Sequence, residues 1–185
     1  MTLEEQLAAL ARLGLELAAD VDVQDLLYSF PREDYEAEPF GLLLFMFGSQ
    51  VEAEPWGRWC CERAWNFDTE CVDGPGAYVE IARQLSRVAG RPEALTEVRD
   101  HVDIDARQAW IEYTVDGRRQ RWDIEVNDDW ADWKVVERLM GLLERDERRF
   151  YAVDNGQAMV LFYLDEPSAR RLNELAGRQL VKIAH

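Results

Sequence analysis

Lysine, histidine and cysteine are the scarce residues of this 185-residue chain, and each shortage excludes something. Lys134 and Lys182 are the only lysines beside 19 arginines, and His101 and His185 are the only histidines. With no G-x-S-x-G around a serine, little material remains for nucleophilic or general-base catalysis, and a lone internal histidine is more often structural. Cys60, Cys61 and Cys71 form an odd set with two adjacent members, which does not suggest a disulfide framework. Their spacing matches no zinc motif. Arg58 and Arg63 would lower the pKa of an exposed thiol between them, whereas a buried thiol would be inert. No glycine-rich phosphate loop or dinucleotide fingerprint is present. No stretch reaches the ~18 apolar residues of a membrane span. The longest apolar run, Phe40 to Phe47, is interrupted by Gly41 and fits a buried helix. The first residues are acidic and amphipathic, unlike a secretory signal, so a cytoplasmic location is expected.

Acid is what the chain has in excess. Its 37 carboxylates against 21 bases give a net charge of −16. Residues 1–57 hold 12 acids, from Glu4 to Glu54, against Arg12 and Arg32, so −10 of the total lies there. Such a field repels nucleic acid and anionic membranes and speeds encounter with basic proteins; solubility alone is the plainer use. A hydrophobic fraction of 48% with 7 tryptophans is enough for a packed core and excludes a disordered chain.

Thr2 and Glu5 form a T-x-x-E capping box, and Leu3, Leu7, Leu10, Leu13 and Leu17 continue at helical spacing, ending near Asp20–Asp22. Pro39 opens a second helix carrying Leu42, Leu43, Phe45 and Met46, closed by Gly48. A tryptophan-rich connection, Val51–Trp59, leads to a strand around Arg63–Val72. After Gly74-Pro75-Gly76 a helix carries Tyr78, Ile81, Ala82, Leu85 and Val88, ended by Gly90 and Pro92. Leu95–Asp105 reads as a strand. Ala109, Ile111, Tyr113 and Val115 alternate with Trp110, Glu112 and Thr114, and Asp116-Gly117 turns the chain into a strand carrying Trp122, Ile124 and Val126. Asn127-Asp128-Asp129 can cap a helix with Trp133, Val136, Met140 and Leu143. A second hairpin runs from Phe150 to Leu164 through Asp154-Asn155-Gly156, and Asp165-Glu166-Pro167 starts a last helix with Leu172, Leu175 and Leu180. The expectation is an α+β fold, mainly antiparallel sheet built from hairpins and packed with four to five helices, as one domain over 1–185.

Carboxylates are the only abundant chemical resource. Asp68 and Glu70 share one side of a strand. Asp100, Asp103 and Asp105 form a second cluster, and Asp128, Asp129 and Asp132 a third at a strand-to-helix junction. Oxygen clusters of this kind can hold Mg²⁺ or Ca²⁺ or supply an acid–base pair. Solvated strand faces explain the first two as well, and helix capping the third. All seven tryptophans (Trp56, Trp59, Trp65, Trp110, Trp122, Trp130, Trp133) lie mid-chain among acids. Trp110 falls on the opposite strand face from Ile111 and Tyr113. An exposed tryptophan beside carboxylates is what a protein-binding hot spot needs; a covering sheet or helix is the plainer alternative.

Three stretches, Tyr35-Glu-Ala-Glu-Pro-Phe40, Trp65-Asn-Phe-Asp-Thr-Glu70 with Gly76-Ala-Tyr78, and Asn127-Asp-Asp-Trp130-Ala-Asp132, resemble small acidic bacterial immunity proteins of polymorphic or contact-dependent toxin systems. That resemblance implies a cytoplasmic inhibitor that binds a toxin. It implies nothing about the toxin's activity and carries over no individual binding residue. The leading expectation is therefore an acidic inhibitor that docks a basic protein, a toxin, and blocks it by occlusion or by mimicking phosphate charge. Asp68, Glu70, Asp73, Trp130 and Asp132 are the partner-binding candidates. Neither a catalytic residue nor a metal-ligand set is assigned, and no cofactor, nucleic acid or membrane partner is expected. A metal-dependent hydrolase built on Asp68/Glu70 and Asp128/Asp129, and a structural or adaptor subunit using the same face, are the alternatives.

Overall fold

The computed structural model describes residues 1–156, 158–177 and 180–183, the side chain of residue 155 excepted; His185 lies outside them. Short helices open the chain. Thr2 Oγ1 accepts from Glu5 N–H (3.2 Å) and the Glu5 carboxylate accepts from Thr2 N–H (2.9 Å), so the capping box starts α1 (Leu3–Ala11) as read. The leucine periodicity overruns the helix. Leu13 and Leu15 N–H both return to the Leu10 carbonyl and Gly14 has φ +78°, so the chain reverses and buries Leu15 instead of extending the stripe to Leu17.

Asp20–Asp22 ends no helix. Asp22 is the N-cap of α2 (Val23–Ser29), its carboxylate accepting from Gln24 and Asp25 N–H. α3 (Arg32–Ala37) follows Pro31, and α4 (Gly41–Phe47) is the expected apolar helix, although Pro39 does not open it but lies before its N-cap, Phe40. α2 and α3 were not foreseen, because helices of 7 and 6 residues are too short to show a periodicity. Gln6, on α1, is fully buried among them. It donates to the Tyr35 carbonyl (2.8 Å) and accepts from Phe40 N–H (2.7 Å), holding Phe40 at φ +67° as the N-cap of α4.

The described residues group into two compact units, each treated by itself: Met1–Phe67 with Asp146–Lys182, and a second centred on Asp68–Arg145. In the first, β1 (Ala64–Asp68), β5 (Arg148–Asn155), β6 (Ala158–Asp165) and β7 (Val181–Lys182) form a sheet in the order β1-β6-β5-β7. β5 pairs antiparallel with β6 and β7. α7 (Glu166–Ala176) starts at Asp165, whose carboxylate accepts from Ser168 N–H (2.8 Å), and stops at Gly177, so Leu180 lies beyond it. The core joins Leu3, Leu10, Leu15, Leu26, Tyr35, Leu43, Phe47, Phe162 and Leu172.

The second unit holds α5 (Ala77–Val88), α6 (Trp133–Leu143) and an antiparallel sheet, β2 (Thr96–Asp103), β3 (Gln108–Val115) and β4 (Arg118–Ile124), in the order β2-β3-β4. Asp116 (φ +49°) and Gly117 (φ +72°) make the two-residue β3–β4 hairpin that the sequence signals. Ala109, Ile111 and Tyr113 face inward and are buried; Trp110, Glu112 and Thr114 occupy the other face. The fold is α+β, with hairpin-built antiparallel pairing as expected, but with seven helices among the described residues rather than four to five.

Candidate functional site

The first and third carboxylate clusters meet. Ala131 N–H donates to the Thr69 carbonyl (2.8 Å) and Val72 N–H to the Asp129 carbonyl (2.9 Å), so 69–72 and 129–131 run side by side within the second unit. Strand β1 stops at Asp68, earlier than the Arg63–Val72 expected, and Asp68 turns back to accept from Glu70 N–H (2.9 Å). Asp68, Asp73, Asp128 and Asp129 are exposed along this seam and Glu70 is half-buried. Trp130 follows a turn closed by its own N–H to the Asn127 carbonyl (3.0 Å), with Asp128 at φ +48°, and its side chain is 39% exposed.

Asp132 has a structural duty. One carboxylate oxygen accepts from Lys134 N–H (3.0 Å) and caps α6; the other accepts from Glu125 N–H (2.9 Å) at the end of β4. Its own N–H donates to the Tyr78 hydroxyl (2.8 Å). The expected cap at Asn127-Asp128-Asp129 is thus displaced to Asp132, because those three residues form the turn that precedes the helix. All five sequence candidates lie along one seam, with Asp68, Asp73 and Trp130 exposed, Glu70 half-buried and Asp132 as its internal brace.

The second cluster is no solvated strand face. The Asp100 carboxylate accepts from the N–H groups of Gly76 (2.7 Å), Tyr78 (2.9 Å) and Val79 (3.3 Å), capping α5 from the neighbouring strand. Asp103 accepts from Ala106 N–H (2.8 Å) in the following turn. Among the described residues no three His, Cys, Asp or Glu side chains gather as a metal would need.

Cys60 and Cys61 are buried and Cys71 partly so, and none of the three is in a disulfide. Burial pushes the Cys60 thiol up to about 12, outweighing the opposing effect of Arg58, and the Cys71 thiol up to about 11, helped by Asp68 and Asp73. These are inert thiols, not nucleophiles activated by arginine. The tryptophans divide by environment. Trp65 is buried, Trp122 packs edge-on against Tyr113 at 5.1 Å, and Trp133 donates to Glu137 (2.8 Å). Only Trp56 (68%) and Trp130 (39%) are tryptophans exposed enough to anchor a partner.

Two features escaped the sequence. One is the loop carrying Trp56. Arg58, with a side chain only 10% exposed, donates to both Asp25 oxygens at 2.8 Å and to the carbonyls of Asp20, Ala53, Glu54 and Pro55. It thereby fastens the loop to α2, which carries the 67%-exposed Tyr28. The isolated Trp56 between Pro55 and Gly57 was the available signal. The other is an arginine cluster on the open face of β2-β3-β4, which alternating polar residues in a hairpin do not distinguish from ordinary solvation. No described helix is long and apolar enough to cross a membrane. Compared with family models, curated proteins and solved structures, the chain matches none.

Proposed function

We propose that this chain is an acidic protein-binding inhibitor, of the immunity type, which docks a basic protein toxin and occludes it. The observation that carries the reading is the half-exposed Trp130 on a seam lined by Asp68, Asp73, Asp128 and Asp129. A large apolar anchor surrounded by charge of one sign combines the two terms of a hot spot: the indole supplies the desolvated contact area, and the carboxylates steer a basic partner and select against acidic ones. The overall charge of −16 adds long-range attraction for the same class of partner. Asp132 serves this surface by setting the start of α6, not by offering its own oxygens. A cytoplasmic location belongs to the same proposal, since the partner would be neutralised inside the producing cell.

The test begins with capture of partners on the tagged chain from its native host at low salt, then identification of what rising salt releases. The expected result is a stoichiometric basic protein whose gene is lethal unless this chain is co-expressed. Against that protein, Asp68→Lys with Glu70→Lys should slow association and weaken binding by roughly tenfold or more. Trp130→Ala should cost about 2 kcal/mol of affinity if the indole is a hot spot. Unaltered affinity in both variants removes the seam from the interface. A partner whose gene is harmless favours an adaptor role over inhibition.

A further inference from the structure

The outer face of the three-stranded sheet runs against the acidic character of the chain. Arg99 on β2, Glu112 on β3 and Arg121 on β4 stand in one cross-strand row, and Arg119 occupies the next row opposite Thr114. Glu112 is only 8% exposed, whereas the three arginine side chains are half-exposed around it. One Glu112 oxygen, Oε1, accepts from Nε and Nη2 of Arg99 (Nε at 2.7 Å) and from Nε and Nη2 of Arg119 (Nε at 2.9 Å). The other oxygen lies 4.0 Å from Arg121 Nη1. The Arg121 guanidinium sits 4.1 Å over the Trp110 ring, which stacks on His101.

We propose that this face is a binding site for a phosphate dianion, either free phosphate or the phosphoryl group of a small phosphomonoester. The first argument is charge. Three guanidiniums gather around Glu112, while Glu97, which accepts from Thr114 Oγ1, and Asp123, paired with Trp110, lie toward the rims of the same face, so the excess positive charge that would attract an anion is local to the row around Glu112. The second is donor geometry. Glu112 engages Arg99 and Arg119 through their Nε–Nη2 edges, so the Nη1 groups keep their N–H donors without a protein acceptor among the described residues.

The third argument is preorganisation. A buried carboxylate and an indole already hold the guanidiniums, so an incoming anion immobilises little that is still free. A nucleic acid or an anionic membrane would bring many charges under the field of a −16 protein; one phosphoryl group meets that repulsion least. Shallow hollows flank the row, one of about 430 Å³ beside Arg99 and Arg119 and one of about 480 Å³ beside Trp110 and Arg121. Either has room for the organic part of an ester.

The experiment is a titration of the full chain followed by NMR of the arginine Nε–Hε signals. Inorganic phosphate and phenyl phosphate are the probes, with sodium chloride at matched ionic strength as baseline. Saturable shifts of the Arg99 and Arg119 signals are expected, with a Kd on the order of 1 mM. Arg99→Gln and Arg119→Gln should each weaken binding about fivefold or more. Arg83→Gln, which removes an exposed arginine paired with Glu80 on α5, should leave it unchanged. Phenyl phosphate binding several-fold tighter than phosphate identifies an ester as the ligand, and equal affinity identifies free phosphate. Shifts that chloride reproduces, or equal affinity in the Arg99 and Arg119 variants, overturn the proposal. So does a short single-stranded oligonucleotide that binds more tightly than phenyl phosphate. If a variant fails to fold, the wild-type spectrum still decides, because unselective shifts across all arginine signals refute the site.

Discussion

Replacing Asp100 with alanine should destabilise the second unit by about 2–3 kcal/mol, and the structure supplies the reasoning. Helix α5 begins at Gly76, which has φ +99° and no side chain to cap the amides that follow. Asp100 performs that task from β2, reaching the N–H groups of Gly76, Tyr78 and Val79. Loss of an N-cap costs about 0.5–2 kcal/mol. Hydrogen bonds to a charged acceptor exceed neutral ones at about 1.5–3 kcal/mol each, although water can replace part of this at an exposed amide such as that of Gly76. Asp100→Asn keeps one carbonyl acceptor but turns an amide donor toward N–H groups and loses the favourable charge at the helix N-terminus, for about 1 kcal/mol. Urea unfolding followed by tryptophan fluorescence and far-ultraviolet circular dichroism would measure both, with an unchanged denaturant slope as the sign of an unchanged fold. An alanine variant within about 0.5 kcal/mol of wild type would refute the cap. Calcium at millimolar concentration should not raise the midpoint; a rise would return Asp100, Asp103 and Asp105 to the role of metal ligands.

Two further outcomes rest on the first unit. The hydrogen-bonded Arg58 guanidinium holds the Asp25 carboxyl below its ordinary 3.8, so the pair's contribution is present above the unfolded-state value and lost as pH falls through the lower folded value. Arg58→Gln should therefore lower stability at neutral pH and flatten its decline in the acid range, read from urea midpoints at several pH values; parallel pH curves would exclude the pair as the cause. At Gly48 a Cβ would sit 2.6 Å from Asn66 N and 3.0 Å from Trp65 C, although φ of −78° suits any residue. Gly48→Ala should cost about 1–3 kcal/mol through overpacking, and a thermal midpoint equal to wild type would contradict the close approach.

Several local features whose stabilising partner is a near neighbour were legible in the sequence. The Thr2–Glu5 box, the Asp116-Gly117 hairpin, the Asp165 cap and the alternation that separates Trp110 from Ile111 depend on residues within a few positions of one another. Their physical causes, side-chain-to-backbone hydrogen bonds and a period of two, are visible in one dimension. The net charge and its concentration in residues 1–57 are likewise properties of composition.

Much of the rest was decided by tertiary structure, where the partners are distant in sequence, while the local caps of short helices such as Asp22 before α2 went unread because seven residues show no periodicity. Leucine spacing could not reveal that α1 would stop at Ala11 and send Leu15 back into the core, nor that α2 and α3 would form through their caps and contacts. Gly48 reads as a helix stop, yet what requires glycine there is the backbone of β1. Asp100, Asp103 and Asp105 look like one cluster until β2 carries Asp100 to the start of α5. Asp68 and Trp130 share a seam because backbone hydrogen bonds join segments some 60 residues apart. Glu112 gathers its arginines only after three strands pair in register. Charge and local propensity were therefore written in the sequence, whereas which charges meet, and which are consumed in holding the fold, depended on long-range pairing.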